Sequence, residues 1–432
     1  MSKYLMIDVG AGTMDLLWYD SETGEHFKAV APSPVRTLAR QIRKSRGPLA
    51  LAGVEMGGVV SACIKERAQT DEVVMTESSA ATLSHKHDKV RALGIRIVPE
   101  ETMAGYLADP KYSSFTLGDI QPETIKTILT GLGLPLNLDA AVLCAQDHGM
   151  APDGMSHIDF RHTLFENLLA PSPDFQAMLF RQDEIPRSFN RLTGMAQSAG
   201  PLGAQEIFVM DSGIAAMIGG LQDVQLKERD PIIVLDIATS HTVVAAVSGG
   251  QPAGFVEYHT RDLTLQRLEE LIVSLADGRV DHASIVAQGG HGAWVRKTVG
   301  FSNVQTILAT GPKRKLLAAS RLPILWGAPW GDNMMTGTVG LLEALRLRKN
   351  WRPYTICSEH ERKAAVLFSL HGRRKSKCEL FGSVFHIALQ LHIGANAGGK
   401  NQPVGDNTGS SKNSSIEVGT FFFHGKGIFL SL

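Results

Sequence analysis

Residues 5–15 read LMIDVGAGTMD, an apolar run that ends in an acidic residue followed by a pair of glycines. A dinucleotide-binding loop requires a third glycine three residues after the second and a helix that opens at the loop. Position 15 is instead Asp15, and residues 13–31 alternate with a period near two around the turn DSETGE. That period is typical of strands. The stretch therefore predicts a glycine loop inside a β-hairpin, which argues against a dinucleotide fingerprint.

A later stretch of the chain repeats this layout. Residues 230–260 read as a strand, a small-residue loop after Asp236, a second strand, a glycine-rich turn and a third strand. Between the two hairpins, strand-like and helix-like segments alternate, which favours an α/β fold with mainly parallel pairing. The repeated hairpin predicts a duplicated fold with a cleft between its halves.

The predicted organisation has three parts. Residues 1–225 form a first domain with a phosphate loop and an inserted substrate-side region, and residues 226–348 form a second domain with its own loop. Residues 349–432 are an atypical tail that lacks sustained periodicity and contains a stretch rich in Gly, Asn and Ser. Three interpretations of the tail stay open: a disordered extension, a small appended element, or a reading-frame error near residue 349.

Composition indicates an ordinary globular protein. The 432 residues are 44% apolar and 20% charged, with 43 basic and 43 acidic side chains, so electrostatics argues for neither nucleic acid nor an anionic membrane as a partner. The chain begins directly with a strand and has no apolar stretch of about 18 residues, so we expect no signal peptide and no membrane span. The four cysteines are Cys63, Cys144, Cys357 and Cys378. They lack CxxC or CxxxCxxC spacing, which predicts reduced thiols in a cytoplasmic protein and no iron–sulfur ligand run.

The two hairpin loops have the residues that a phosphate clamp needs. Small residues let backbone N–H groups approach a polyphosphate, and hydroxyl groups add donors. A strand-end carboxylate can hold Mg²⁺ through water, and we expect Asp8 and Asp236 to do so. The other predicted cofactor-binding residues of the loops are Gly10, Gly12, Thr13, Ala238, Thr239, Ser240, His241 and Thr242. The alternative is that each loop is only a tight turn between strands.

Motif order adds a resemblance to the actin, Hsp70 and sugar-kinase superfamily of ATPases. IDVGAGTMD at 7–15 and LDIATSHT at 235–242 are similar to its phosphate loops, and MDSGIAAMIGGL at 210–221 resembles its connecting helix. QGGHGAW at 288–294 resembles its adenosine loop and GDNMMTGTVGLLEAL at 331–345 its closing helix. The resemblance implies a duplicated ribonuclease-H-like fold, two domains around a nucleotide cleft, with ATP and Mg²⁺ as cofactors. It also implies adenosine contacts at Gly289, Gly290 and Gly292.

Asp211 opens the segment that resembles the connecting helix. In the superfamily, the acid at this position lies near the terminal phosphate, so the resemblance implies that Asp211 is a general base. The alternative from the residues is a helix N-cap, a position that aspartate fills well. One residue can serve both roles.

AQDHG at 145–149 resembles the segment with which sugar kinases touch their substrate. The resemblance implies that Gln146 and His148 bind substrate and that Asp147 is a second catalytic candidate, all exposed at a strand end. A polar loop after a strand is the alternative. His85 and His87 are expected on the solvated face of a single helix over 77–94.

Within the superfamily, the chain resembles most closely an uncharacterised prokaryotic family labelled "pyruvate formate-lyase activating enzyme-like", on the segments AQDHG, QGGHGA, TGPKR and GDNMMTGTVGLL. The label implies a radical enzyme with an iron–sulfur cluster on three closely spaced cysteines, and this sequence has no such triplet. The second loop departs from the superfamily pattern at Ala238, where a methyl group replaces the usual glycine. We expect that methyl group to crowd a phosphate or to forbid a positive φ.

These features predict a cytoplasmic ATP-binding protein that acts as a small-molecule kinase or a slow Mg²⁺-dependent ATPase. Its expected partners are a nucleotide and an unidentified small molecule. A non-catalytic nucleotide-binding regulatory module is the alternative from another class, and Ala238 favours it. A radical activating enzyme is a third possibility that rests on the family label alone.

Overall fold

A computed structural model describes residues 2–171 and 173–351 of the chain. The strands are β1 (Lys3–Val9), β2 (Thr13–Asp20), β3 (His26–Pro32), β4 (Leu49–Gly53), β5 (Val73–Thr76), β6 (Arg96–Val98), β7 (Ser113–Leu117), β8 (Ala140–Ala145), β9 (Phe180–Arg181), β10 (Glu206–Asp211), β11 (Ile232–Ile237), β12 (His241–Ser248), β13 (Gln251–His259), β14 (Gly292–Val295), β15 (Thr306–Thr310) and β16 (Ile324–Trp326). The α-helices are α1 (Pro34–Lys44), α2 (Val60–Arg67), α3 (Glu77–Ala80), α4 (His87–Arg91), α5 (Glu100–Ala108), α6 (Pro122–Gly131), α7 (His157–Leu169), α8 (Asn190–Ala199), α9 (Ser212–Gly220), α10 (Leu265–Ala276), α11 (His282–Ala287) and α12 (Thr336–Arg348).

The first large sheet has the strand order β3-β2-β1-β8-β10-β9. Strands β1, β2 and β3 form the antiparallel meander that the alternating sequence predicts. Strand β8 then pairs in parallel with both β1 and β10. Strands β1 and β8 lie in the middle of this sheet and are almost wholly buried, as their continuous apolar sequences require.

The second large sheet, β14-β13-β12-β11-β15-β16, repeats five strands of the first in the same order, with β13-β12-β11-β15-β16 corresponding to β3-β2-β1-β8-β10. Its meander β11-β12-β13 is antiparallel, and β11 pairs in parallel with β15. An aspartate is the penultimate residue of β1 and of β11, Asp8 in the first sheet and Asp236 in the second. The repeated order confirms the predicted α/β fold, a duplicated ribonuclease-H-like arrangement of the actin-like ATPase type.

A third sheet is inserted after the first meander. Its order is β6-β5-β4-β7, with parallel pairing throughout. Helices α1 and α2 cover one face and contribute to a separate apolar core that includes Ile42, Leu51 and Ile64. After this small α/β unit, the chain returns to the first large sheet at β8.

Helices α9 and α12 cross at very short distance. Small side chains line the crossing, and a Cβ on Gly340 would lie 1.8 Å from the carbonyl oxygen of Ala215. Helix α12 also packs against β1 and β8 of the first sheet. The chain therefore passes from the first large sheet to the second through α9 and returns to the first through α12.

The domain boundaries at 225/226 and 348/349 stay predictions. The predicted tail lies outside the described residues from position 352 onward. In the part of the chain that the structure describes, we find no helix long and apolar enough to cross a membrane.

Candidate functional site

A cavity of about 500 Å³ is lined by the loops that follow β1 and β11. This volume falls in the range of small-molecule binding sites. Most of the predicted loop residues line it: Asp8, Gly10, Gly12, Thr13, Asp236, Ala238, Thr239, Ser240 and His241. Thr242 does not, because its side chain is buried and its hydroxyl contacts that of Thr260 at 3.0 Å. The prediction of Thr242 as a cofactor contact is therefore not supported by its position.

The two loops adopt the same turn. Gly10 N donates to Thr13 O at 3.0 Å in the first loop, and Ala238 N donates to His241 O at 3.1 Å in the second. Neither Gly10 nor Ala238 has a positive φ. A methyl group is therefore compatible with this turn, and the expected backbone conflict at Ala238 does not arise.

Three carboxylates meet at the base of the cavity. Asp8 and Asp15 are direct cross-strand partners in the β1–β2 hairpin, and Asp236 is the penultimate residue of β11, the equivalent of β1 in the other sheet. Burial raises the pKa of Asp8 to about 6, of Asp15 to about 8 and of Asp236 to about 7, and the charge of Asp8 adds to the rise at the other two. The buried Oδ1 of Asp15 has no hydrogen-bond partner among the described residues. Like charges directly across a hairpin are destabilising, so this arrangement favours a bound cation.

Sequence reasoning missed Asp15 as a member of this site. The sequence contains the necessary signal, because Asp8 and Asp15 are equally distant from the turn centre at residues 11–12. In a tight hairpin such residues pair on the same face of the ladder. Asp15 is therefore a further candidate for the cation site.

Asp15→Asn is expected to stabilise the ligand-free protein at alkaline pH. The folded-state pKa of Asp15, about 8, lies above its ordinary value, so stability is lost as the pH rises through the interval between the two. Asparagine removes this loss, and we expect a gain of at least about 1 kcal/mol near about pH 8.5 and almost none near about pH 4. Urea unfolding in EDTA at both pH values measures it. Asp88→Asn, on an exposed turn of α4, is the control, and equal gains at both pH values would contradict the assignment.

Asp211 ends β10 and is the N-cap of α9. Its Oδ1 accepts from Gly213 N at 2.9 Å and from Arg161 Nη2 at 3.0 Å. Its Oδ2 accepts from Arg161 Nη1 at 2.6 Å and from Asp147 N at 3.2 Å. A carboxylate has about four lone-pair sites, and all are used here. The structure bears out the helix-cap interpretation, whereas a role of Asp211 as general base stays a prediction that requires one of these bonds to open.

Arg161, on α7, joins Asp211 to a carboxylate of the second large sheet. Its Nε donates to Glu257 Oε2 at 3.2 Å and its Nη2 to Glu257 Oε1 at 3.2 Å. All three side chains are buried. The nearby guanidinium holds the pKa of Glu257 down, to about 2, against the opposing effect of burial. This ion triad is a buried contact between residues that lie far apart in the chain.

The segment AQDHG is not exposed as predicted. Asp147 is buried, and its carboxylate accepts from Gly149 N at 2.7 Å and Leu192 N at 3.0 Å, so it holds the loop in shape. Gln146 Nε2 donates to Glu257 Oε1 at 3.0 Å. Gln146, Asp147 and His148 nevertheless all contribute to the cavity wall. The predicted exposure of this segment is therefore wrong, because α7 and α8 pack against it. The catalytic role of Asp147 and the substrate-binding roles of Gln146 and His148 stay predictions.

The three glycines of the predicted adenosine loop do not line the cavity. Gly290 packs on the second apolar core, where a Cβ would come within 2.7 Å of the Tyr258 ring. Gly289 lies in the connection from α11 to β14, and Gly292 begins β14, the edge strand on the opposite side of the sheet from β15 and β16. The cavity is lined instead by Gly311 and Pro312, which follow β15, the parallel neighbour of β11. Gly311 is required there, because its φ is +88° and a Cβ would lie 2.6 Å from Asp236 Oδ1.

Part of the polar cavity wall comes from the segment after β4, the turn between α3 and α4, and α8. His85 Nε2 contacts Glu55 Oε2 at 2.9 Å, and this hydrogen bond raises the pKa of His85. Arg191 is bound to Asp119 by two hydrogen bonds of 2.7 and 3.0 Å. The predicted helix over 77–94 is split into α3 and α4, because the intervening turn carries His85 to the cavity. His85 is therefore a cavity residue and not part of a solvated helix face.

The charge of the lining is strongly acidic. Its only arginine is Arg191, and the structure describes no lysine there. Its carboxylates are Asp8, Asp15, Glu55, Asp147, Asp236 and Glu257. An anionic ligand can approach this surface only with a cation that compensates the charge.

A family model described as "Putative pyruvate format-lyase activating enzyme (DUF1786)" matches residues 56–316. No curated protein sequence matches the chain.

Among solved structures, the chain is similar to three proteins of low sequence identity. Component A of the Acidaminococcus fermentans (R)-2-hydroxyglutaryl-CoA dehydratase is 10% identical, with 80% of this chain and 100% of that chain covered and a TM-score of 0.31. AlfA from a B. subtilis plasmid, in its filament structure, is 10% identical, with 79% and 98% covered and a TM-score of 0.33. A Bacteroides thetaiotaomicron protein with actin-like ATPase fold and unknown function is 7% identical, with 79% and 96% covered and a TM-score of 0.32.

The assignment of the fold stands on the strand orders of the two large sheets. The family assignment stands on the sequence match, which spans more than half of the chain and includes the second phosphate-type loop and the segment AQDHG. The chain belongs to the family described as "Putative pyruvate format-lyase activating enzyme (DUF1786)".

Proposed function

We propose that this protein binds Mg·ATP in the cavity between its two hairpin loops and hydrolyses it slowly or transfers its phosphate to a small molecule. The observation that carries the proposal is the meeting of Asp8, Asp15 and Asp236 beside two loops with the same turn. Carboxylates that repel one another need a hard cation, and Mg²⁺ takes oxygen ligands. The fold is one in which two similar halves enclose a ligand.

Each loop has groups suited to the phosphates. Backbone N–H groups of small residues can approach an anion closely, and the hydroxyls of Thr13, Thr239 and Ser240 are further donors. Asp8 and Asp236 would hold Mg²⁺, directly or through water, and Asp15 lies beside them. A bound Mg²⁺ neutralises phosphate charge, which the acidic lining would otherwise repel.

The hydrogen bonds that Asp211 accepts argue for slow turnover. A general base needs a free lone pair within reach of the attacking oxygen, and the four hydrogen bonds at Asp211 leave none in this arrangement. This observation also favours a second candidate function, a nucleotide-binding regulatory module without turnover. The two are separated by the ATPase rate of the wild type relative to that of Asp8→Asn: equal rates favour the regulatory module.

The unidentified small molecule is proposed to bind opposite the loops. The wall formed by Glu55, His85 and Arg191 offers hydrogen-bonding groups that the nucleotide loops do not need. A small polar molecule with hydroxyl groups suits this set. Product analysis with candidate sugars and other hydroxyl compounds tests it, because a kinase yields a phosphorylated product as well as ADP.

The family label is not a basis for radical chemistry in this chain. Among the described residues, Cys63 and Cys144 are both buried and belong to different apolar cores. No three cysteines of the sequence have the close spacing of an iron–sulfur ligand run. The residues therefore do not fit the cluster that the label implies.

ATP binding is expected to depend on Mg²⁺ and on Asp8. Removing Mg²⁺ with EDTA should weaken ATP binding at least about tenfold, because the acidic lining then repels the phosphates without compensation. Asp8→Asn should weaken it similarly, because the variant lacks one of the proposed Mg²⁺ ligands. Isothermal titration calorimetry with the purified full chain measures the affinity. Asp88→Asn is the control for loss of one carboxylate elsewhere. Tight binding of ATP in EDTA, or an unchanged affinity of Asp8→Asn, would contradict the proposal.

A further inference from the structure

Four histidines gather at one side of the cavity, outside the carboxylate site. His148 follows β8, His241 begins β12, His259 ends β13 and His291 precedes β14. The ring centroids of His241 and His291 are 4.7 Å apart, and those of His148 and His291 are 5.7 Å apart. His148 comes from the first large sheet, whereas the other three come from the second.

Three of these residues offer ring nitrogens to one point. Ligand atoms of His148, His241 and His291 all lie within 4.8 Å of one another. In a tetrahedral shell with bonds of 2.0–2.1 Å, nitrogens lie about 3.3 Å apart, so small side-chain rotations bring the three into range. The buried Nε2 of His241 and the buried Nδ1 of His291 have no hydrogen-bond partner among the described residues. A buried ring nitrogen without a partner costs free energy unless a ligand satisfies it.

His259 fits a supporting position behind His291. The two Nε2 atoms lie 2.9 Å apart, so one of them donates to the other. With Nδ1 of His291 as the ligand atom, its Nε2 carries the proton and donates to His259. Histidines that bind metals commonly donate their other ring N–H in this way, which fixes the ring orientation.

The surroundings favour a cation on neutral imidazoles. Burial lowers the pKa of His148 and of His241 to about 3, and burial also lowers the pKa of His291. These rings are therefore neutral at physiological pH, as metal binding requires. Arg161 lies nearby, but its charge is exceeded by those of its two partners, Asp211 and Glu257.

We propose that His148, His241 and His291 form a binding site for a divalent transition metal such as Zn²⁺, with its open coordination position facing the cavity. Imidazole nitrogens suit zinc, copper, iron and nickel, whereas Mg²⁺ takes oxygen ligands. His148 and His241 line the cavity, so a ligand there can reach the fourth position. The site differs in chemistry from the carboxylate site at Asp8 and Asp236, and it gives His241 a role other than phosphate binding.

The site also has a distinct sequence signal. His241 occupies the position in the second loop that Thr13 occupies in the first, since each accepts the same turn hydrogen bond. The second loop thus has an imidazole where the first has a hydroxyl, at the position where the other histidines converge. This departure is unexplained by phosphate binding.

Cobalt binding tests the proposal with a spectroscopic probe. The purified full chain, freed of metal and without nucleotide, is titrated with Co²⁺. We expect one four-coordinate Co²⁺ per chain, recognised by its strong visible bands, which Zn²⁺ displaces and excess Mg²⁺ does not. No binding, or only the pale spectrum of six-coordinate cobalt, would overturn the proposal.

Variants locate the ligands. His241→Ala and His148→Asn should each weaken Co²⁺ binding at least tenfold, whereas His162→Ala, a partly buried histidine on α7 outside the cluster, should leave it unchanged. If His241→Ala does not fold, His148→Asn at the cavity wall still decides the question. Asp8→Asn should keep the cobalt spectrum, so failure of the magnesium–nucleotide proposal and failure of this one give different results. Unchanged cobalt binding in both histidine variants would overturn the assignment.

Discussion

Arg161→Met is expected to destabilise the protein by roughly 3–5 kcal/mol. The guanidinium makes hydrogen bonds to both Asp211 and Glu257, and all three side chains are buried. Methionine fills a similar volume but leaves two carboxylates facing each other without a counter-charge. The expected loss is that of breaking a buried pair by removing one partner, which is much larger than the net contribution of the intact pair. Urea unfolding at neutral pH measures it.

The pH dependence of the stability loss in Arg161→Met distinguishes an electrostatic effect from a packing defect. Without Arg161, burial raises the pKa of Glu257 above its ordinary range, so the variant recovers stability as the pH falls and the carboxyl takes up a proton. A pure packing defect has no such recovery. Arg181→Met is the matched control, because Arg181 pairs with Asp183 on the surface, where ion pairs contribute little. A similar loss in both variants would contradict the argument from burial.

Sequence reasoning reached the fold because its evidence is local. The strand, acid, small-residue turn and second strand are contiguous in residues 5–20 and again in residues 232–248, and period two is read within each segment. The ends of equivalent strands then meet in a cleft by topology alone. Asp8 and Asp236 could therefore be assigned to one site before any contact was known.

The parts of the site that were missed depend on long-range contacts. Arg161 reaches Glu257 across 96 positions, and a mid-helix arginine carries no local sign of such a partner. Gly290 precedes β14 and Gly311 follows β15, and only strand order decides which of the two faces Asp236. The histidines likewise come from four separate places in the chain. Periodicity identifies elements, but it contains no information on which loop ends converge.

Gly340→Ala is expected to disrupt the crossing of α9 and α12. Within a helix, alanine is favoured over glycine by about 1 kcal/mol, so propensity alone predicts a more stable protein. A Cβ at position 340, however, would lie 1.8 Å from the carbonyl oxygen of Ala215 and 2.8 Å from Gly219 N. These are backbone atoms, so the clash is relieved only if the helices move apart. We expect a loss of at least about 3 kcal/mol, at the upper end of overpacking effects.

The sign of the change in unfolding free energy shows whether the helix propensity of alanine or the backbone clash dominates. Gly105→Ala in α5 is the matched control: it lies inside a helix, and a Cβ there meets no atom within 4 Å. We expect that variant to gain about 0.5–1 kcal/mol, as propensity requires. Thermal and urea unfolding of both variants gives the comparison. Because α12 carries Gly337 against Asp8 at the cavity, the separation of the helices in Gly340→Ala should also weaken Mg·ATP binding, whereas Gly105→Ala should leave it unchanged.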